Sequence, residues 1–176
     1  MALRLIVALT CLVAIAGCTR NRDLTTDIKL VDVQSGWLSA LAEDGRNKIV
    51  PSVSVKIQNV SNEPISGVQL NAIFRRVGET EVWGEHFIQG IERTAPLDAG
   101  STGKALVLRS TLGYTGDESR EKMLGNREFV DTFVRVFGKH GSRTWVQLGE
   151  FQIERRLLSE STRVPTPVSP NAAPAQ

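Results

Sequence analysis

The chain of 176 residues carries 21 Lys and Arg against 19 Asp and Glu, is 41% hydrophobic, and has only two cysteines, Cys11 and Cys18. The charges are interspersed, with no basic stripe of the kind that holds nucleic acid, so no nucleic-acid partner is expected. Beyond Cys18 there is no thiol, which excludes a disulfide, a thiolate-ligated zinc, an iron–sulfur cluster and a cysteine nucleophile in the body of the protein.

Arg4 supplies a minimal basic region, and Leu5 to Ile15 is an apolar run. That run is well short of the ~20 residues a membrane-spanning helix needs, and it ends at the small residues Ala16 and Gly17, as a processed leader does. The sequence Ile15-Ala16-Gly17-Cys18 resembles the lipobox of bacterial lipoproteins: an aliphatic residue, a small residue, Gly or Ala, then Cys. The resemblance implies a signal peptide over residues 1–17, cleavage before Cys18, a diacylglyceryl thioether on Cys18 and acylation of the new amine. Two or three acyl chains make a stable anchor where one holds only marginally. Resemblance to Gram-negative lipoproteins implies that Asp at the second mature position would favour retention in the inner membrane. Thr19 stands there, which implies the outer membrane and a periplasm-facing body, or the cell membrane in a host that lacks an outer one. Loss of the leader leaves 20 basic against 19 acidic residues.

Residues 18–26 are polar and charged and are expected to form a tether. The body is expected over residues 27–158, and about 130 residues suffice for one core without cross-links. Ile28 to Val33 opens a series of short strand-like runs, and Trp37 to Leu41 resumes it after a break at Ser35-Gly36. Val53, Val55 and Ile57 alternate with Ser54, Lys56 and Gln58, a strict period of two in a β-branched run. Asn59 to Pro64 turns the chain, and Val68, Leu70, Ala72 and Phe74 restart the alternation. These two strands either pair as a hairpin or cross between sheets. Glu81 to Ile91 has no clean phase, Pro96 to Gly100 is a break, and Ala105 to Leu108 is a short strand.

Asp117 to Asn126 is the helical piece, closing at Gly125-Asn126. Phe129 to Phe137 and Arg143 to Ile153 form the last two strands, a hairpin through Gly138 to Ser142. Val146 and Leu148 are out of phase with Phe151 and Ile153, so a bulge is expected near Gly149. Residues 159–176, rich in Pro and Ala, are expected to be a disordered tail. The pattern is that of an all-β protein, a sandwich of about seven strands with one short helix.

The segment Val55-Lys56-Ile57-Gln58-Asn59-Val60-Ser61-Asn62-Glu63-Pro64-Ile65, followed by Val68 to Phe74, resembles immunoglobulin-like modules of bacterial envelope proteins, including the FxLYD-type group. Leu97-Asp98-Ala99-Gly100-Ser101 is similar to a later turn of those domains. The resemblance implies a binding or assembly part with no catalytic residues to carry over. The Tyr-Asp pair expected after Phe74 is replaced by Arg75-Arg76.

Neither histidine suggests chemistry. His86 follows Glu85 in a strand-like run, where neighbours point to opposite faces, and His140 sits in a turn. No metal site, catalytic residue or cofactor is expected. Tyr114, the single tyrosine, is expected to hydrogen-bond backbone at a corner of the sandwich, the alternative being a ring displayed to a ligand. Asn59-Val60-Ser61 fits a glycosylation sequon by chance.

The sharpest functional pattern is aromatic. If Val130, Thr132, Val134 and Val136 face inward, then Phe129, Phe133 and Phe137 face outward and Trp145 joins them. An outer patch of Phe133, Phe137 and Trp145 would mark a partner contact. Otherwise the helix from Asp117, or the Trp83 and Phe87 segment, covers it. The expectation is a lipid-anchored envelope protein that binds or scaffolds other envelope components. The alternative is a small-ligand carrier or hydrolase with a pocket beside residues 112–116.

Overall fold

The computed structural model describes residues 22–158; the leader, Cys18 and the tail from residue 159 lie outside them. In chain order the elements are helix α1 (Leu24–Asp27), strands β1 (Ile28–Leu41), β2 (Asn47–Asn59), β3 (Val68–Arg76), β4 (Gly84–Ile91), β5 (Leu106–Arg109) and β6 (Tyr114–Gly116), helix α2 (Arg120–Leu124), and strands β7 (Thr132–His140) and β8 (Val146–Gln152). They form an immunoglobulin-like β-sandwich. One sheet has the order β1-β2-β5, with β6 pairing the first residues of β2, and the other has the order β4-β3-β7-β8. The described residues therefore hold eight strands and two short helices, against the seven and one expected.

The two clean alternations build the core. Val53, Val55 and Ile57 of β2 face Val68, Leu70, Ala72 and Phe74 of β3 and Val134 and Val136 of β7, none of them more than 1% exposed. Burying each of these side chains other than Ala72 contributes about 1.5–3 kcal/mol. The turn after Asn59 carries the chain from one sheet to the other, so β2 and β3 do not pair as a hairpin.

Three local devices shape the strands. β1 runs unbroken through Ser35-Gly36, and its irregularity falls between Val31 and Gln34, where Asp32 takes a φ of 50°. Gly36 is small for a different reason: a Cβ there would come within 2.9 Å of the Arg156 carbonyl and Leu158. The C-terminal segment thus lies along β1, with Trp37 donating to Arg156 and Leu158 donating to Trp37. In β8 the register against β7 jumps at Leu148, since Val136 pairs Gly149 while Phe137 pairs Gln147. That bulge turns Val146, Phe151 and Ile153 to the core side, as the phase of the sequence required.

α1 corrects the expected tether. Leu24 is buried at 3% exposure and joins the core, where it meets β7 at Gly138. Arg22 is clamped as well, donating to Asp27, Ser61, Glu63 and the Pro64 carbonyl at 2.7–3.3 Å. Residues 22–26 therefore belong to the body. α2 is capped at both ends: the Ser119 hydroxyl accepts from Lys122 N–H, and Gly125 closes the last turn. It tucks Met123 and Leu124 into the core.

Candidate functional site: the outer face of the β4-β3-β7-β8 sheet

The valine side of β7 is inward, as its phase demands, with Thr132, Val134 and Val136 fully buried. Phe133 and Phe137 consequently occupy outward registers and remain half-buried. Phe129 does not join them. The strand begins only at Thr132, so the alternation does not extend back to Phe129, whose ring is 6% exposed and lies 4.8 Å from both Trp37 and Tyr114.

Register places side chains on the outer face in rows across the sheet. One row runs Phe87, Asn71, Phe137, Gln147; the next runs Glu85, Ile73, Arg135, Glu150; a third holds Arg75, Phe133 and Gln152. Aromatic rings thus alternate with amides and ions. Trp145, just before β8, meets Phe87 edge to face at 6.0 Å. These residues come from opposite edges of a four-stranded sheet, roughly 14 Å apart at the usual strand spacing, so the indole lies across the strands between them. Lys139 Nζ stands 5.0 Å from that indole and the Arg135 guanidinium 5.4 Å from the Phe133 ring, both within cation–π range. Arg135 is also paired with Glu150.

Neither helix α2 nor Trp83 covers this face. α2 packs against β2, and Trp83 turns inward to Trp37 and Tyr114. Only Phe87, from the segment considered as a cover, lies beside Trp145, and it is itself 54% exposed. Two polar atoms on the face, Asn71 Oδ1 and Arg75 Nε, are buried without a protein partner. Phe87, Asn71 and Arg75 were not legible as part of the patch. The irregular phase of β4 hid Phe87, and the other two are polar residues in an otherwise apolar alternation.

Elsewhere, the chemistry-bearing residues have structural tasks. Tyr114 Oη donates to the Val130 carbonyl at 3.3 Å and accepts from Val130 N–H at 3.2 Å, the backbone bonding expected of it. A cavity of about 370 Å³ does open beside the loop, lined by Tyr114, Thr115, Gly116, Glu118, Met123, Asn126, Glu128 and Phe129. Its lining includes two carboxylates but no histidine. Among the described residues no three His, Cys, Asp or Glu side chains are grouped as metal ligands would be. Asn59 is fully buried, which removes it from the reach of any glycosylating enzyme.

His86 closes a seam. Its register opposite Ala72 turns it inward at the edge of β4, where Nδ1 accepts from Arg109 N–H of β5 at 3.1 Å. This bond links the two sheets. Burial, and secondarily the Arg109 charge, hold the imidazole pKa below its ordinary value. Because the folded state binds the proton less well than the unfolded chain, this stability is present above the ordinary histidine range. It is lost as pH falls from there through the depressed folded value. Urea unfolding is expected to show a midpoint that drops over that window, and His86→Ala is expected to flatten the drop. An equal drop in the variant would assign it to other groups.

No known protein family and no curated protein matches the sequence. Among solved structures, the chain is similar to a protein from Archaeoglobus fulgidus at 14% identity and a TM-score of 0.38, over 70% of this chain and 92% of that one. It is also similar to the ligand binding region of serine-glutamate repeat protein A of Enterococcus faecium at 10% identity and a TM-score of 0.27, over 73% of this chain and 98% of that one.

Proposed function

We propose that this protein is a lipid-anchored binding or scaffolding module of the bacterial cell envelope. Cys18 carries the anchor, the outer membrane holds it, and the outer face of the β4-β3-β7-β8 sheet meets an envelope partner. The observation that carries the reading is the composition of that face. Phe87, Phe133, Phe137 and Trp145 are interleaved with Asn71, Gln147, Arg135 and Lys139, and none of the four rings is buried in the core. Rings beside cations and amides are the composition of interaction surfaces, where a few aromatic anchors dominate the energy. The lipobox resemblance supports export.

Phe133→Ser with Phe137→Ser tests the reading, because both side chains point away from the core. The double variant is expected to keep the parent's circular dichroism and to unfold within about 1 kcal/mol of it, as outward positions do. In cells, crosslinking from the envelope is expected to lose the partner bands that the parent gives. An unchanged set of crosslinked partners from a folded double variant would remove this face from the account.

A further inference from the structure

The N-terminal segment joins the body at one end of the sandwich. Arg22 is the first described residue, and its guanidinium is held by Ser61, Glu63 and Pro64 of the β2–β3 turn. With Arg22 clamped, the chain back to Cys18 spans at most about 14 Å when fully extended. On the other side of α1, Arg22, Asp23 and Leu24 share a cavity of about 420 Å³ with His140, Ser142, Arg143, Thr144 and Val146 of the β7–β8 hairpin tip. This tip, from Lys139 to Trp145, contains Lys139, His140 and Arg143 and no acid. Asp23 is the carboxylate that faces it within the cavity.

The opposite end differs. β1 carries the chain from Ile28 at the anchored end to Leu41, roughly 40 Å away at the usual rise per residue. There the loops expose Leu41, Val77, Val82 and Leu112, four of the six large hydrophobic side chains most open to water, at 49–70% exposure.

We infer that the β7–β8 hairpin tip lies in the phospholipid headgroup layer, seated by the short link to Cys18, while the end bearing Leu41, Val77, Val82 and Leu112 points away from the membrane. The inference rests on the lipid-anchor reading proposed above. Had residues 18–26 been a free tether, the body would take many orientations. A link this short, ending on a clamped arginine, permits few. Charge selects the same face, because each basic side chain held near an anionic lipid surface strengthens attachment about fivefold, and the tip offers Lys139 and Arg143 without an acid in its own sequence.

The mature chain has no other thiol, so single-cysteine variants report position cleanly. Acylated protein carrying Ser142→Cys or Thr80→Cys, both exposed sites at opposite ends, would be labelled with an environment-sensitive fluorophore. Each would then be inserted in vesicles of phosphatidylethanolamine and phosphatidylglycerol that contain a headgroup nitroxide. The Ser142→Cys probe is expected to be quenched several-fold more than the Thr80→Cys probe, and Arg143→Glu to reduce that difference. Equal quenching, or stronger quenching at position 80, in protein that remains bound to the vesicles would overturn the orientation alone. Failure of the purified parent to hold vesicles, with no acyl chain on Cys18, would overturn both the anchor and the orientation.

Discussion

Asn59→Ala is expected to destabilise the domain by about 3 kcal/mol, although the side chain touches no proposed partner. Its Nδ2 donates to the carbonyls of Glu63, Leu97 and Asp98 at 2.8–3.1 Å, and its Oδ1 accepts from Ser61 N–H and Oγ–H at 3.0 and 2.7 Å. The residue is fully buried, so alanine would take one of two donors from each of three carbonyls and leave the Ser61 N–H without its acceptor, with little water to replace them. Asn59→Asp is expected to be no better, because a carboxylate offers no donor to the three carbonyls and adds a buried charge. Urea unfolding of the three proteins measures this. A loss below about 1 kcal/mol for Asn59→Ala would mean that the turn finds other partners. The network also joins two stretches that are distant in the chain. Asn59 to Ile65 and Leu97 to Ser101 meet in space, through Asn59 and through the Ile65–Leu97 bridge.

Trp37→Ala is expected to cost about 3–5 kcal/mol, the range for deleting a large aromatic from a packed interior. Trp37 is fully buried, its ring 4.8 Å from Phe129, 5.7 Å from Tyr114 and 6.2 Å from Trp83. Those rings come from separate segments at the end of the sandwich remote from Arg22, so the cavity left by alanine would loosen several loops at once. Trp37→Phe is expected to recover more than half of the loss, since the indole Nε1 is buried without a hydrogen-bond partner and its removal costs nothing polar. Thermal unfolding of the pair separates the two contributions. A Phe variant as unstable as the Ala variant would show that the shape of the indole, and not the ring volume, matters.

The parts of the fold visible in the sequence are those where one physical signal acts alone. Val53 to Ile57 and Val68 to Phe74 alternate because one side of each strand is core and the other is not. The bulge in β8 was visible because Val146 and Phe151 cannot share a face without an extra residue. Helix α2 was visible because Asp117-Glu118 and Gly125-Asn126 bracket it, although it begins only at Arg120, after the Ser119 cap. Signals failed where packing overrode local chemistry. Leu24 sits among Asp23, Thr25 and Thr26, so nothing local marks it as a core residue; it is buried because the β7–β8 hairpin leaves room at Gly138. Gly36 looked like a strand break, yet it serves the close approach of Leu158, a contact 122 residues away in the chain. Phe129 shares parity with Phe133 but precedes the strand, and parity carries no information outside an extended segment.

The outer face shows the same division. Phe133, Phe137 and Trp145 could be placed from the phase of one hairpin, whereas Phe87, Asn71 and Arg75 needed the order β4-β3-β7-β8 to bring them into the same rows. That strand order is set by the crossing between β2 and β3, a long-range choice that the turn residues Asn59 to Pro64 allow but do not dictate.

The central claim is that this sandwich is held at a membrane by its first mature residue. Mass spectrometry of the N-terminal tryptic peptide Cys18-Thr19-Arg20 from envelope material tests it most directly. The account predicts a peptide that begins at Cys18 and carries the mass of a diacylglyceryl group with an acylated amine. A peptide with a free Cys18 thiol, or one in which residues 1–17 remain attached, would contradict it.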